Sequence, residues 1–220
     1  MFKEMIHRLE GVAIELPERE ILARLGYDWK RNELNGEMRR KLKVAMSEDF
    51  ALCRPHGVWG VFAIESARKG EVELAGGGTF FGREFVVRCG DGVGLWLGAV
   101  TLGDEIGRRV MACRSARQME EAAMAEAVAL EAVVRVREVL LKSAKAALKK
   151  EPYVLNERLF FTGRWDLEID SQRAFFERLP LAELRMKLGD NCKLEPMYAE
   201  TVAACLDPLP VPNPKIKNKK

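Results

Sequence analysis

The sequence lacks the features that mark secreted, membrane-spanning and disulfide-stabilised proteins. None of its apolar stretches approaches the ~18–20 residues that cross a bilayer. The N-terminus alternates charged and apolar residues where a signal peptide has a continuous apolar segment. The five cysteines are odd in number, widely spaced and without a Cys-x-x-Cys pair. These absences predict a cytoplasmic protein with reduced thiols and no disulfide framework.

Histidine is also scarce, since His7 and His56 are the only two in the chain. Residues 53–56 (Cys-Arg-Pro-His) have the spacing of two zinc ligands, but a structural zinc site needs four, so no metal is expected. So few histidines leave few candidates for general-base catalysis of the Ser-His-Asp kind. The glycines of residues 90–94 precede a predicted strand and do not open a helix, which predicts a turn and not a phosphate loop.

The positive charge of the chain is concentrated at its C-terminus. The formal net charge is +3, but removing the four lysines of the last six residues leaves 32 basic against 33 acidic residues, a balance of −1. A body so close to neutral does not favour nucleic-acid or membrane binding. Residues 207–220 contain four prolines and no periodic apolar pattern. They are predicted to form a disordered basic tail that follows a single domain of residues 1–206.

Five segments have the apolar periodicity or the end signals of helices. They are residues 17–25, 37–53, 116–150, 171–179 and 197–206. Pro17 suits the first turn of a helix, and Gly26 suits its end. Residues 115–118 (Ser-Ala-Arg-Gln) have the form of a capping box at the start of the longest segment. The apolar positions of that helix either pack on a sheet, which is favoured, or form a coiled-coil or partner surface.

Six further segments have strand patterns. They cover residues 12–16, 58–64, 71–74, 79–81, 95–101 and 186–188. The glycines of residues 76–78 predict a tight turn between two of these strands, because glycine tolerates positive φ. The strands cluster together with helices outside them, and no βαβ unit repeats. This arrangement predicts an α+β fold and argues against a doubly wound α/β fold.

The order of these segments resembles that of a known family. Residues 21–27 (Ile-Leu-Ala-Arg-Leu-Gly-Tyr), the Arg54-Pro55 step, strand 58–64, the Gly-rich hairpin and residues 100–103 (Val-Thr-Leu-Gly) follow one another as in the activation-domain-like proteins of cobalamin-dependent methionine synthase. The resemblance covers about residues 12–206. It implies a stand-alone member with a single α+β domain, in which a mainly antiparallel sheet is flanked by helices, one of them long.

The resemblance also implies a function. Full members of the family dock on a cobalamin-carrying protein and present S-adenosylmethionine to reduced cobalamin, which restores methylcobalamin after adventitious oxidation. The chain is therefore expected to be an accessory for reductive reactivation of a cobalamin-dependent methyltransferase. S-adenosylmethionine would be its ligand, and the partner protein would carry the cobalamin. Any enzymatic activity would be associated with that methyltransferase, and no catalytic residue of this chain is assigned.

The candidate ligand residues lie in the loop of residues 151–170. The family has an arginine followed by Gly-Tyr in the loop that cradles S-adenosylmethionine, and here residues 158–166 read Arg-Leu-Phe-Phe-Thr-Gly-Arg-Trp-Asp, with Gln172 six residues later. The resemblance assigns ligand binding to Arg158, Gly163, Arg164, Trp165 and Asp166. Arginine suits a carboxylate because its planar donors bind both oxygens, and glycine lets the backbone approach a ligand closely.

Arg164 stands where the family has tyrosine. A second cation near a sulfonium is unfavourable unless a carboxylate such as Asp166 or Glu168 offsets it. A second hypothesis is therefore a non-catalytic protein of the same fold that has lost S-adenosylmethionine binding and recognises a protein partner or another anionic ligand. Arg158 is either a ligand residue or a solvated loop residue. Trp165 either packs at the edge of the hydrophobic core, which is favoured, or stacks on the adenine of the ligand.

Overall fold

A computed structural model describes residues 2–28, 35–164 and 167–209. The helices are α1 (Glu18–Arg24), α2 (Gly36–Ala51), α3 (Arg83–Cys89), α4 (Glu105–Ser115), α5 (Met119–Ala147) and α6 (Gln172–Arg178). The strands are β1 (Met5–Leu9), β2 (His56–Arg68), β3 (Glu71–Leu74), β4 (Thr79–Phe81), β5 (Gly94–Thr101), β6 (Tyr153–Leu155), β7 (Phe160–Phe161), β8 (Lys187–Leu188), β9 (Leu194–Glu195) and β10 (Ala199–Pro208).

In the described part of the chain, eight strands form one sheet, and every strand pairing is antiparallel. The order along the sheet is β4-β3-β2-β5-β10-β6, while β1 pairs with β2 and β7 pairs with β10. Strands β8 and β9 pair separately. Helices flank the sheet, and α5 extends over 29 residues. The predicted α+β class, with a mainly antiparallel sheet and one long helix, is therefore confirmed.

Alternate side chains of the central strands point to opposite faces of the sheet, and helices cover both faces. Trp59 of β2 and Trp96 of β5 lie in the core covered by α4 and α5. Phe62 of β2 lies in the core of the other face, together with Phe85 of α3 and Phe175 of α6. Because neither face is open to water, all eight residues of β5 are buried.

Two glycines allow α5 to lie close to the sheet. A Cβ on Gly57 would lie 2.7 Å from Leu140 Cδ1, and a Cβ on Gly98 would lie 3.0 Å from Leu140 Cδ2. Both distances are shorter than the optimal separation of non-bonded carbons, which is about 3.5–4.0 Å. Leu140 of α5 therefore occupies the space that these two missing side chains leave free.

Two predicted elements are wrong. Residues 12–16 form no strand, and the N-terminal strand is β1, residues 5–9. Residues 197–206 form no helix, because residues 199–208 are β10, which pairs with β5 on one side and with β6 and β7 on the other. A strand buried on both faces shows no apolar–polar alternation, so its alanine-rich sequence resembles that of a helix.

The long helix exists, but its predicted start is wrong. Ser115 is the last residue of α4 and does not cap α5. Arg117 has a left-handed φ of 60°, and α5 begins at Met119. Helices α3 and α4 were not among the predicted segments. The hairpin β3–β4 has the predicted bounds, and Gly76, Gly77 and Gly78 all have positive φ.

The predicted set of five reduced thiols is also wrong, because a disulfide joins Cys89 and Cys205. The two residues are 116 positions apart in sequence and have Cα atoms 5.5 Å apart. Sequence spacing gives no sign of such a pair, which depends on α3 ending beside the central strand β10. The free cysteines, Cys53, Cys113 and Cys192, are buried.

The C-terminal strand continues into the segment predicted as a tail. Asp207 pairs with Val154, Pro208 pairs with Tyr153, and the Leu209 amide donates to the Pro152 carbonyl at 3.0 Å. Residues 210–220, the rest of the predicted tail, lie outside the described residues.

Among the helices of the described ranges, none is both long and apolar enough to cross a membrane.

A buried thiol and a buried phenol make the stability of the fold depend on pH in the alkaline range. Burial raises the pKa of the Cys53 thiol from 9.0 to about 12 and that of the Tyr198 phenol from 10.0 to about 12. The folded chain keeps these protons where the unfolded chain has lost them, so stability falls as pH rises from about 9 to about 12. Each group contributes a slope of at most about 1.4 kcal/mol per pH unit.

Urea denaturation at a series of alkaline pH values tests this expectation. The double variant Cys53→Ala, Tyr198→Phe is expected to lose stability less steeply than the natural chain over this range. Equal slopes in the two proteins would contradict the assignment of these two groups.

Candidate functional site

The loop that carries the predicted ligand residues is anchored on the sheet by β7. Phe160 pairs with Ala203 and Phe161 pairs with Val202 of β10. The Phe160 side chain is buried and packs edge-on against Phe85 of α3, with 4.8 Å between ring centroids. The segment before the turn is therefore fixed both by strand pairing and by an aromatic contact with α3.

Arg158 already holds a carboxylate in this structure. Its guanidinium carbon lies 5.2 Å from the centroid of the Phe160 ring, and its Nη2 donates to Glu84 Oε2 of α3 at 3.2 Å. Its backbone amide donates to Asn156 Oδ1 at 2.8 Å. The Arg158 side chain is 45% exposed, so its remaining donors face solvent. The residue combines a fixed backbone with a guanidinium that a ligand can reach.

Gly163 and Arg164 form the tip of a tight turn. Gly163 has a φ of 73°, and its amide donates to the Leu167 carbonyl at 2.8 Å, while the Arg164 amide donates to the Phe161 carbonyl at 3.1 Å. A Cβ on Gly163 would lie 2.9 Å from Ile169 Cδ1. The positive φ favours glycine at this position, and a Cβ would have to displace the end of the Ile169 side chain. The Arg164 residue is exposed.

Trp165 and Asp166, the other two predicted ligand residues, lie outside the described residues. The structure brings Gly163 and Arg164 together in one turn. It places Arg158 before β7, with its side chain directed to α3.

Gln172 has a different environment from the other residues of the family pattern. It is buried, and its Oε1 accepts a hydrogen bond from Thr201 Oγ1 of β10 at 2.8 Å. Since the Thr201 hydroxyl proton is used there, the 2.5 Å contact between the Thr162 and Thr201 hydroxyls has Thr162 as donor. Gln172 thus fastens the loop and the start of α6 to the central strand.

A cleft of about 430 Å³ opens beside this loop, between β4 and α6. Its lining is Thr79, Phe81, Glu168, Asp170, Arg173, Ala174 and Glu177. The Glu168 amide donates to the Phe81 carbonyl at 2.9 Å, and the Phe81 amide donates to Ser171 Oγ at 2.9 Å, which ties the loop to the edge strand β4. Asp170, Arg173 and Glu177 are not among the residues predicted from the sequence. The i, i+4 spacing of Arg173 and Glu177 places both on one face of a helix, which is the one local signal for them.

The charges around the loop and the cleft are more negative than positive. Within residues 151–170 and the cleft lining, the described arginines are Arg158, Arg164 and Arg173, and the described carboxylates are Glu151, Glu157, Glu168, Asp170 and Glu177. Three positive against five negative charges leave −2, so the extra cation at Arg164 does not make the surroundings positive. Within the described ranges, no group of three or more His, Cys, Asp or Glu residues is placed to hold a metal ion.

Comparison with known proteins gives a match in structure and not in sequence. No family model and no curated protein matches the sequence. A solved structure, the crystal structure of the MetH reactivation domain bound to AdoHcy, superposes with a TM-score of 0.63 at 14% identity, covering 95% of this chain and 80% of that chain. At this identity the match shows that the two share a fold.

Proposed function

We propose that this chain is an accessory protein for reductive reactivation of a cobalamin-dependent methyltransferase of the methionine synthase type, and that it presents S-adenosylmethionine to the corrinoid of its partner. The observation that carries the proposal is the fold. It matches, over 95% of the chain, a reactivation domain whose crystal structure contains AdoHcy. AdoHcy is S-adenosylmethionine without its transferred methyl group.

The environment of Arg158 supports this ligand. S-adenosylmethionine ends in an amino-acid carboxylate, and the Arg158 guanidinium binds the carboxylate of Glu84 at 3.2 Å. The Arg158–Glu84 pair is exposed on both sides, at 45% and 70% of the side chains. Such a pair contributes little to stability, so a ligand carboxylate can take the place of Glu84 at small cost.

The turn and the cleft supply the other requirements. Gly163 allows the positive φ of the turn, and Ile169, which lies against this glycine and is 39% exposed, offers an apolar surface. Glu168, Asp170 and Glu177 line the cleft with Arg173, so carboxylates outnumber the cation there, which suits a sulfonium. When bound, S-adenosylmethionine supplies the methyl group to reduced cobalamin, and the residues of this chain bind and orient it.

Two observations favour a second candidate, a non-catalytic binding protein of the same fold. Arg164 replaces the tyrosine of the family pattern, and Arg158 is already paired with Glu84. Two arginines on one exposed loop suit a phosphate or carboxylate of a different ligand or of a protein partner.

Isothermal titration with S-adenosylmethionine tests the proposal. Arg158→Ala is expected to weaken binding by about 10- to 100-fold, because hydrogen bonds to charged groups contribute about 1.5–3 kcal/mol. Arg114→Ala is the matched control, since Arg114 is 39% exposed and pairs with Glu126 on a distant helix pair; it is expected to bind as the natural chain does. Absence of binding to the natural chain would favour the second candidate.

A further inference from the structure

Helix α3 connects the disulfide to the candidate ligand arginine. Its last residue, Cys89, is bonded to Cys205 in the central strand β10. One residue from its start, Glu84 accepts the hydrogen bond from Arg158. Between them, Phe85 packs against Phe160, over whose ring the Arg158 guanidinium lies. One short helix therefore connects the disulfide to the site.

Helix α3 is held on the sheet by one buried face. It has seven residues, of which only Phe85 and Cys89 are buried, and no side chain caps its N-terminus. Val87 is 76% exposed. A helix this short depends on tertiary contacts and not on its own hydrogen bonds. The disulfide is thus one of a few constraints on where Glu84 lies, beside the packing of Phe85 and Val86 on the core.

We propose that the Cys89–Cys205 disulfide regulates the Arg158 site through α3. In the oxidised protein, α3 holds Glu84 against Arg158, where it competes with the carboxylate of the ligand. In the reduced protein, the end of α3 is released from β10, Glu84 leaves Arg158, and the guanidinium is free for the ligand. The inference rests on the proposed function, because it concerns the same arginine.

The chemical step is a thiol–disulfide exchange. A dithiol reductant transfers two electrons and two protons, becomes a disulfide itself, and leaves Cys89 and Cys205 as two thiols. Both sulfur-bearing residues are buried, with exposures of 0% and 1%. The reductant therefore reaches them only when α3 moves away from the sheet, which couples reduction to the movement of Glu84.

Titration with S-adenosylmethionine in two redox states tests the proposal. After denaturation, three thiols are expected to react in the oxidised protein and five after dithiothreitol. Reduction is expected to raise the affinity for S-adenosylmethionine about two- to fivefold. This range corresponds to the free energy of one exposed ion pair, here Arg158–Glu84, which the ligand no longer has to break. Cys205→Ala is expected to match the reduced protein, and Cys113→Ala, which removes a free buried thiol, is expected to keep the redox difference. Equal affinities in the two states would overturn the proposal.

The variant Glu84→Gln tests the route of the coupling. It is expected to bind as tightly as the reduced natural chain in both redox states. A redox difference that persists in this variant would overturn the assignment to Glu84.

Hydrogen exchange separates failure of this inference from failure of the proposed function. If neither state binds S-adenosylmethionine, the proposed function fails, and the coupling is judged from the amides of residues 83–89 and the Arg158 guanidinium proton. Faster exchange of both after reduction supports the coupling, and unchanged exchange overturns it.

Discussion

Phe160→Ala is expected to lower the free energy of unfolding by about 3–5 kcal/mol, the usual cost of removing a buried aromatic ring. Phe160 is 5% exposed, packs edge-on against Phe85, and lies beneath the guanidinium of Arg158. Its loss leaves a cavity between β7 and α3. The variant is therefore expected to weaken ligand binding as well as stability.

Urea denaturation gives the stability change, and Phe160→Leu is the control. Leucine keeps most of the apolar volume and is expected to cost less than about 1.5 kcal/mol. If Phe160→Ala lost no more than Phe160→Leu, the aromatic contact would not fix the loop.

Glu131→Ala is expected to have a comparable effect for an electrostatic reason. Glu131 is 2% exposed on α5, and its carboxylate accepts from Arg24 Nε of α1 at 3.0 Å and from Arg135 Nε at 2.7 Å. Breaking a buried ion pair by removing one partner costs about 3–5 kcal/mol when the charge left behind is itself buried. Since Arg24 and Arg135 are 32% and 27% exposed, the lower part of this range is expected.

Thermal or urea denaturation of Glu131→Ala beside Glu138→Ala measures this effect. Glu138 is 42% exposed and bonds the same Arg135 at 2.9 Å, so it controls for the arginine. Its removal is expected to cost at most about 1 kcal/mol. Equal losses in the two variants would show that burial of Glu131 adds nothing to the contact between α1 and α5.

Local signals account for the parts of the fold that sequence analysis predicted. The hairpin β3–β4 was predicted with its observed bounds because Gly76, Gly77 and Gly78 mark the turn within a few residues of each strand. Helix α2 was predicted within two residues at either end, since its apolar positions repeat with helical spacing. Both elements are defined by residues close in sequence.

The missed elements depend on distant residues. Strand β10 has a run of apolar residues because both faces of the sheet are covered, and only its neighbours β5 and β6 identify it as a strand. Helix α4 contains a glycine at position 107 and a sparse apolar stripe of Ile106, Val110 and Cys113, which is a weak pattern. The disulfide is set by topology across 116 positions.

The candidate site likewise has residues that the local sequence predicts and contacts that it does not. The residue types of the 158–172 segment follow a recognisable order, so Arg158, Gly163 and Arg164 could be named from the sequence. The pairing of Arg158 with Glu84 and the fastening of Gln172 to Thr201 involve residues 74 and 29 positions away. Such contacts follow from the packing of α3 and α6 on the sheet and carry no local signal.

Methyl transfer to a corrinoid is the most direct test of the proposed function. The assay contains methyl-labelled S-adenosylmethionine, a low-potential one-electron donor, and the cobalamin-binding domain of a methionine synthase without its own reactivation domain. Addition of this chain is expected to increase the label found in the corrinoid, and Arg158→Ala is expected to reduce that increase. Labelling that stays at the level seen without the chain would contradict a role in reactivation.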